Sequence, residues 1–200
     1  MPEYNVKYHS REAAEKYQQK IEKKRRFSTQ LELNMVRKSL GDVEGEKILD
    51  CPCGTGRIDP ILREKFTDIQ GMDNAQSMLD VYLDGHPERK AQMGDIFNLP
   101  FADNEFDWAV CHRLFHHFKS DEQRIGLLRS LSRVSRHGFT FYAWIDTPFS
   151  KRGRKSTDGR QSIPRKQLDA IISQVPCRIT NMYRAGWPFS PKVMFICRNN

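Results

Sequence analysis

Short apolar runs recur along most of the chain, and segments with apolar residues every three or four positions separate most of them. The short runs predict strands at Lys47–Cys51, Asp68–Asp73, Lys90–Gly94, Phe106–Cys111, Phe139–Ile145, Cys177–Tyr183 and Lys192–Arg198. The helical spacing predicts helices over 57–65, 76–83, 121–136 and Arg165–Val175. Strands that alternate with helices favour an α/β fold in which helices cover both faces of a parallel sheet.

The first forty residues stand outside this alternation. Their apolar positions fall near helical spacing, at Ala14, Tyr17, Ile21, Leu33, Val36 and Leu40. We therefore expect a helical N-terminal cap over 1–40, a core over 45–200 and a basic loop at 147–166. A chain of 200 residues is long enough to bury a core as one domain.

A glycine-containing turn follows the first predicted strand. Gly54 and Gly56 lie one residue apart, so the backbone can turn sharply and approach a ligand. Such a turn between a strand and a helix builds a nucleotide crevice at the carboxyl end of a parallel sheet. Asp59 stands where dinucleotide-binding proteins have a third glycine, and its charge would repel a pyrophosphate. Since no Gly-Lys-Ser/Thr follows either, the turn favours a nucleoside without phosphates.

Two further acids follow predicted strands. Asp73 lies 17 residues after Gly56, near the spacing at which a carboxylate accepts hydrogen bonds from both hydroxyls of a ribose. An aspartate at this position also serves as a helix N-cap. Asp95 is placed to accept a hydrogen bond from an exocyclic amine while Ile96 covers one ring face, although Gly-Asp is also a common turn.

The motifs in series resemble those of the class I S-adenosylmethionine-dependent methyltransferases over about residues 45–145. The matching pieces are Leu49–Arg57, Gly71–Leu79, Gly94–Ile96, Leu99–Phe101, and Phe106-Asp107 leading to Leu114–His117. Pro52 departs from the pattern, because the family usually has a first glycine there. The resemblance implies a Rossmann-like, doubly wound, mostly parallel seven-stranded sheet with an antiparallel last strand.

The resemblance also implies S-adenosyl-L-methionine as cofactor and S-adenosyl-L-homocysteine as product. The residues that it assigns to the cofactor are Asp50, Cys51, Gly54, Thr55, Gly56, Asp73, Asn74, Met78, Asp95, Ile96 and Cys111. Asp50, Cys51, Gly54 and Gly56 would line the methionine end of the cofactor. Asp73 would hold the ribose, and Asp95 and Ile96 would frame the adenine. Cys111 would lie near the sulfonium centre.

Candidate catalytic residues follow the fourth and fifth predicted strands. His112 and His116 share a face if their segment is helical, and histidine has the pKa of a base at neutral pH. Tyr142, Trp144 and Asp146 occupy every second position, so all three lie on one face of a strand. Each residue also has a structural alternative. The histidines can serve in capping or packing, Tyr142 in strand packing, and Asp146 in a helix cap or a turn. No metal is predicted, because neither the histidines nor Cys51-x-Cys53 has enough further ligands.

Charge and cysteine usage bear on partners and compartment. The net charge is +8, and basic residues crowd two segments: Lys16, Lys20, Lys23, Lys24, Arg25 and Arg26, then Lys151, Arg152, Arg154, Lys155, Arg160, Arg165 and Lys166. These segments bind nucleic acid or another anionic surface, or are solvated faces. The five cysteines, an odd number, and the absence of a signal-peptide pattern predict a cytoplasmic protein without a membrane span.

Three functions remain open from the sequence. The first is a methyltransferase that acts on a small or medium acceptor through an oxygen or nitrogen nucleophile. The second is a methyltransferase for RNA or another macromolecule that docks on the basic segments. The third is a protein that binds the cofactor without catalysis and serves as a partner. The sequence specifies neither the acceptor nor an oligomeric state.

Overall fold

The computed structural model describes residues 10–23, 27–148 and 161–200, which form seven strands, six α-helices and a short 3-10 helix at Phe115–His117. The strands are β1 (Lys47–Asp50), β2 (Asp68–Asp73), β3 (Lys90–Met93), β4 (Phe106–Cys111), β5 (Ser135–Trp144), β6 (Cys177–Arg184) and β7 (Lys192–Asn199). The helices are α1 (Arg11–Lys23), α2 (Phe27–Gly41), α3 (Asp59–Leu62), α4 (Gln76–Gly85), α5 (Asp121–Val134) and α6 (Arg165–Ile172).

All seven strands join one sheet in the order β3-β2-β1-β4-β5-β7-β6. The first five strands in chain order pair in parallel, whereas β7 is antiparallel to both β5 and β6. This confirms the predicted Rossmann-like, doubly wound sheet with an antiparallel last strand. The strand order reverses between β1 and β4, and ligands of such sheets bind at the carboxyl ends of the strands beside this point.

Two apolar cores lie on opposite faces of the sheet. Strand β5 shows the division, because Phe139 and Phe141 belong to the core that α5 and α6 cover, whereas Tyr142 belongs to the core beneath α2 and α3. Strand β4 is buried along nearly its whole length, as expected of a strand with helices on both faces. The sheet is therefore a rigid support for the loops at its carboxyl edge.

Several predicted elements differ in extent from the observed ones. The helix predicted over 57–65 is only α3, because the turn with Gly56 at φ +80° occupies the residues before it. Strand β5 begins at Ser135, directly after α5, where a helix was predicted to continue to residue 136. The predicted N-terminal helix is two helices, α1 and α2. Most of the basic loop lies outside the described residues, and α6 already begins at Arg165.

Two findings concern the membrane and the cysteines. Among the residues that the structure describes, no helix combines the length and apolar character needed to cross a membrane. All five cysteines are buried free thiols.

Candidate functional site

The chain turns sharply where β1 ends. The N–H of Cys51 still bonds to Val110 O on β4 (3.0 Å), and the N–H of Cys53 bonds to Met72 O on β2 (2.9 Å). Gly56 N–H then closes the turn on Cys53 O at 3.0 Å. These bonds hold the turn between the two neighbouring strands although Pro52 offers no N–H.

The two glycines of this turn do different things. Gly54 has φ +56°, and apart from its chain neighbours no described residue has an atom within 4 Å of the position that a Cβ would take there. Gly56 has φ +80°, and a Cβ there would lie 2.4 Å from the ring of Tyr82. Gly54 therefore leaves open space beside the crevice, whereas Gly56 permits the close packing of Tyr82 against the turn.

Two carboxylates from adjacent strands converge on the turn. Asp73, at the end of β2, accepts hydrogen bonds from the N–H groups of Gly54 (2.9 Å) and Ala75 (3.1 Å). Burial raises the pKa of Asp73, and these backbone donors oppose the increase. Asp50, at the end of β1, is fully buried, and neither of its oxygens has a hydrogen-bond partner among the described residues. Burial, reinforced by the charges of Asp59 and Asp73, raises the pKa of Asp50 well above its ordinary value.

Asp59 belongs to an ion-pair network inside the fold. It accepts hydrogen bonds from Arg89 Nε at 2.8 Å and from the Tyr82 hydroxyl at 3.0 Å. These partners join α3 to α4 and to the segment that follows it. The charge of Asp59 is thus balanced within the protein, and its effect on a pyrophosphate is smaller than the sequence suggests.

Helix α1 lies across the turn and α4. The hydroxyl of Thr55 donates to Gln18 Oε1 at 2.6 Å, and Ala14 packs in one apolar cluster with Ala75 and Met78. Asn74, between the end of β2 and α4, is partly buried. Thr55 and Met78 therefore both contact α1, which covers the turn after β1 and the first part of α4.

The residues predicted for adenine follow β3. Asp95 is exposed, and its Oδ1 accepts the N–H of Phe97 at 3.0 Å, which is the turn-forming alternative noted from the sequence. Ile96 is buried in the larger core together with Met72. Cys111, at the end of β4, is buried too, and burial with the nearby charge of Asp50 raises the pKa of its thiol.

Three of the predicted catalytic residues, His112, His116 and Tyr142, lie close together near the carboxyl ends of β4 and β5. The rings of His112 and His116 each lie 5.3 Å from the Tyr142 ring between centroids, and the His116 ring stacks on Trp144 at 5.2 Å. The indole Nε1 of Trp144 donates to the Tyr142 hydroxyl at 2.8 Å. Asp146 accepts a hydrogen bond from the Ser162 hydroxyl at 2.5 Å.

His112 is a neutral imidazole at physiological pH. Burial, followed by the positive charges of Arg113 and Arg57, lowers the pKa of His112 to about 3. Its Nε2 is buried and has no hydrogen-bond partner among the described residues. A neutral imidazole with so low a pKa is a weak base. His112 is therefore better suited to orienting a hydroxyl or amine than to accepting its proton.

A buried glutamate that the sequence analysis missed lies next to these residues. Glu32 of α2 contacts three cations, Arg57, Arg113 and Lys192, which come from the turn after β1, the loop after β4 and the start of β7. Burial raises the pKa of Glu32, but Arg113 and Lys192 together bring it down to about 2. One sequence signal was available: Glu32 lies three and four positions before the buried Met35 and Val36, so it is an acid on the apolar face of its helix.

The described residues contain no group of three or more His, Cys, Asp or Glu side chains arranged to hold a metal ion.

The fold and its crevice define the class: a Rossmann-like α/β protein whose carboxyl edge presents acids and open glycine backbone to a nucleoside. Residues 49–143 match the family described as "Methyltransferase domain". This match and the topology of the sheet support a class I S-adenosylmethionine-dependent methyltransferase.

Individual relatives agree with this assignment. The demethylmenaquinone methyltransferase of Thermotoga maritima is 35% identical over 95 residues, which are 46% of this chain and 40% of that protein. The probable tRNA methyltransferase 9B of Mus musculus is 28% identical over 123 residues, 60% of this chain and 27% of that protein. The chain thus spans less than half the length of these relatives.

A solved structure shares the fold. The magnesium protoporphyrin IX methyltransferase of Synechocystis PCC 6803, crystallised with S-adenosylmethionine, superposes with a TM-score of 0.68 at 15% identity. The match covers 90% of this chain and 84% of that one. This likeness concerns the fold.

Proposed function

We propose that this protein transfers a methyl group from S-adenosylmethionine to a small or medium-sized acceptor with an oxygen or nitrogen nucleophile. The observation that carries the proposal is the buried carboxylate of Asp50, which has no hydrogen-bond partner among the described residues and precedes the turn that contains Gly54. A buried, unsatisfied carboxylate is costly unless a ligand supplies a donor. S-adenosylmethionine carries such donors, an ammonium group and two ribose hydroxyls, so the residues present fit it.

Each end of the cofactor has candidate partners. Asp50, Cys51, Gly54 and Gly56 would surround the methionine end, and Asp73 would accept the ribose hydroxyls with the lone pairs that its backbone donors leave. Asn74 and Met78 would flank the ribose, and Asp95 and Ile96 the adenine. Thr55 would hold α1 over them, and Cys111 would border the reacting methyl group.

The protein's part in the reaction is to position the acceptor. S-adenosylmethionine supplies a methyl group on a positively charged sulfur, and the acceptor forms its bond to that carbon in line as the carbon–sulfur bond breaks. His112, His116 and Tyr142 would orient the acceptor and exclude water, with Trp144 as an aromatic wall. Asp146 would act through Ser162. Positioning alone supplies much of the rate of such a displacement.

A second candidate is a macromolecular acceptor such as RNA. Two observations favour it: a relative named as a probable tRNA methyltransferase, and the exposed basic residues Lys16, Lys20, Arg165 and Lys166. Binding through such residues weakens steeply with salt. The third candidate is a partner protein that binds the cofactor without catalysis. The cytoplasmic location of the protein stays a prediction.

Calorimetric titration tests the proposal first. We expect S-adenosylmethionine and S-adenosylhomocysteine to bind and NAD and ATP not to bind. Transfer of a labelled methyl group to a small-molecule extract, unaffected by nuclease treatment, would then support the first candidate. Transfer only to RNA would select the second, and binding without transfer to any extract would select the third. No binding of either sulfur compound would overturn the proposal.

A further inference from the structure

We propose that the methyl acceptor carries an anionic group, which Arg113 and Lys192 bind where they rise from the buried carboxylate of Glu32. This inference rests on the proposed function and specifies its acceptor. It concerns a cluster defined as Glu32, Arg57, Arg113 and Lys192, referred to below as the Glu32 cluster.

The geometry of the Glu32 cluster leaves cationic groups within reach of a ligand. Arg113 Nη1 lies 3.0 Å from Glu32 Oε2, Arg57 Nη2 lies 3.4 Å from the same oxygen, and Lys192 Nζ contacts Oε1. The side chain of Glu32 is 3% exposed, whereas those of Arg113 and Lys192 are 27% and 29% exposed. The carboxylate is thus the floor of the cluster, and two cations extend from it toward solvent.

The charges of the Glu32 cluster do not balance. One carboxylate faces three cations, which leaves an excess of two positive charges. A buried carboxylate needs only one well-placed cation to be neutralised, so structural pairing alone does not explain the other two. An arginine has five N–H donors, and a single nitrogen of Arg113 bonds to Glu32 within the described residues. An anion can therefore share Arg113 and Lys192 with Glu32.

The backbone of Arg113 points to the same conclusion. Arg113 has φ +68°, in the left-handed region that costs a non-glycine residue roughly 1–2 kcal/mol. Such strain persists mainly at sites where it positions a functional group. Here the strained residue directly follows His112, and its guanidinium contacts Glu32.

The Glu32 cluster borders the aromatic residues proposed to hold the acceptor. Arg113 follows His112, whose ring lies 5.3 Å from that of Tyr142 between centroids. Lys192 pairs across the sheet with Trp144, which stacks on His116. An anion bound at Arg113 and Lys192 would therefore have an aromatic wall beside it, which suits a planar acid such as an aromatic carboxylate.

An anionic acceptor also agrees with the weak basicity of His112. His112 is neutral and weakly basic because of its burial and of the same arginines. Nearby cations favour the ionised form of an acid, and an ionised oxygen needs no base before it attacks a methyl group. The Glu32 cluster would thus prepare the nucleophile by stabilising its charged form.

The test uses benzoate as the anionic probe and benzyl alcohol as its neutral counterpart. Each is titrated into protein saturated with S-adenosylhomocysteine, and we expect benzoate to bind at least tenfold more tightly. Arg113→Gln and, independently, Lys192→Gln should each weaken benzoate binding at least tenfold, about 1.4 kcal/mol. Both should keep the affinity for S-adenosylhomocysteine within about twofold. Lys38→Gln removes a cation from the exposed face of the same helix as Glu32 and should change neither affinity.

Two results would overturn the inference. One is equal binding of benzoate and benzyl alcohol. The other is a loss of S-adenosylhomocysteine binding, with benzoate binding unchanged, in Arg113→Gln, because the cluster would then serve the cofactor's own carboxylate. If the wild-type protein binds no S-adenosylhomocysteine, the proposed function fails. Benzoate titration of the free protein then still decides whether the Glu32 cluster binds anions.

Discussion

The carboxylate of Asp73 accepts a hydrogen bond from the backbone N–H of Gly54, with 2.9 Å between Oδ2 and the nitrogen. This bond ties the end of β2 to the turn after β1. The other oxygen accepts the N–H of Ala75, two residues on, in a turn that precedes α4. The N-cap residue of α4 is Ala75, so the helix-cap alternative for Asp73 is wrong. One carboxylate can shape the crevice and still accept ligand hydroxyls.

Asp73→Asn should weaken binding of S-adenosylhomocysteine at least tenfold. The amide keeps only one acceptor oxygen, and a hydrogen bond to a charged acceptor contributes about 1.5–3 kcal/mol. Calorimetric titration measures the change, with Asp68→Asn at the opposite end of β2 as the matched control. Binding within about twofold of wild type would show that Asp73 does not hold the ribose.

Alanine at the two glycines of the turn should have different consequences. Gly56→Ala places a methyl group against Tyr82, so we expect a loss of stability of about 1–3 kcal/mol from overpacking, in addition to the backbone strain. The added methyl group of Gly54→Ala meets no described residue beyond its chain neighbours, so backbone strain alone should lower stability, by about 1–2 kcal/mol. The variant should nevertheless impair ligand binding. Denaturant unfolding and titration with S-adenosylhomocysteine separate the effects. Unimpaired binding by Gly54→Ala would place the ligand elsewhere.

Asp50→Asn should stabilise the free protein at pH 7. Burial raises the pKa of Asp50 in the folded state, so the free energy of unfolding falls as the pH rises above the unfolded pKa. The amide removes this loss but also removes the charge offered to a ligand. We therefore expect a higher free energy of unfolding without ligand and a smaller increase upon adding S-adenosylhomocysteine. A variant that is less stable than wild type without ligand would contradict this role.

Acid should destabilise the protein through His112. Its folded pKa of about 3 lies below the unfolded value, so its contribution is complete above about pH 6.5 and is lost as the pH falls toward 3. Between pH 6.5 and 5 the loss from this residue is about 2 kcal/mol. Urea unfolding at pH 7 and pH 5 measures it. His112→Gln should reduce the difference by that amount, whereas His137→Gln, at an exposed position on β5, should not.

Local patterns predicted most of the sheet because its strands are short apolar runs bounded by polar turns. Asp68–Asp73 and Phe106–Cys111 have the predicted bounds. The exceptions depend on tertiary contacts. The local pattern predicts that Ser135 belongs to the end of a helix. Its backbone instead pairs with Phe106 and its hydroxyl donates to Leu131 O, so the strand begins at this residue.

The site divides in the same way. The turn, Asp73 and the histidines follow strand ends, and the carboxyl ends of parallel strands meet at one edge, so their proximity follows from sequence order. Glu32 meets Arg57, Arg113 and Lys192 across 25, 81 and 160 residues of chain. Nothing local in a sequence encodes such distant encounters, and only the folded arrangement shows that one helical acid collects three cations.

Helix α1 is attached to the rest of the protein through residues of the crevice itself, Thr55, Ala75 and Met78, and through an exposed ion pair between Arg11 and Asp84. Its detachment and the filling of the crevice are therefore thermodynamically linked, because a ligand that orders these residues also strengthens the helix. Amide hydrogen exchange in α1 then gauges occupancy, slowing when the crevice is filled and quickening on product release.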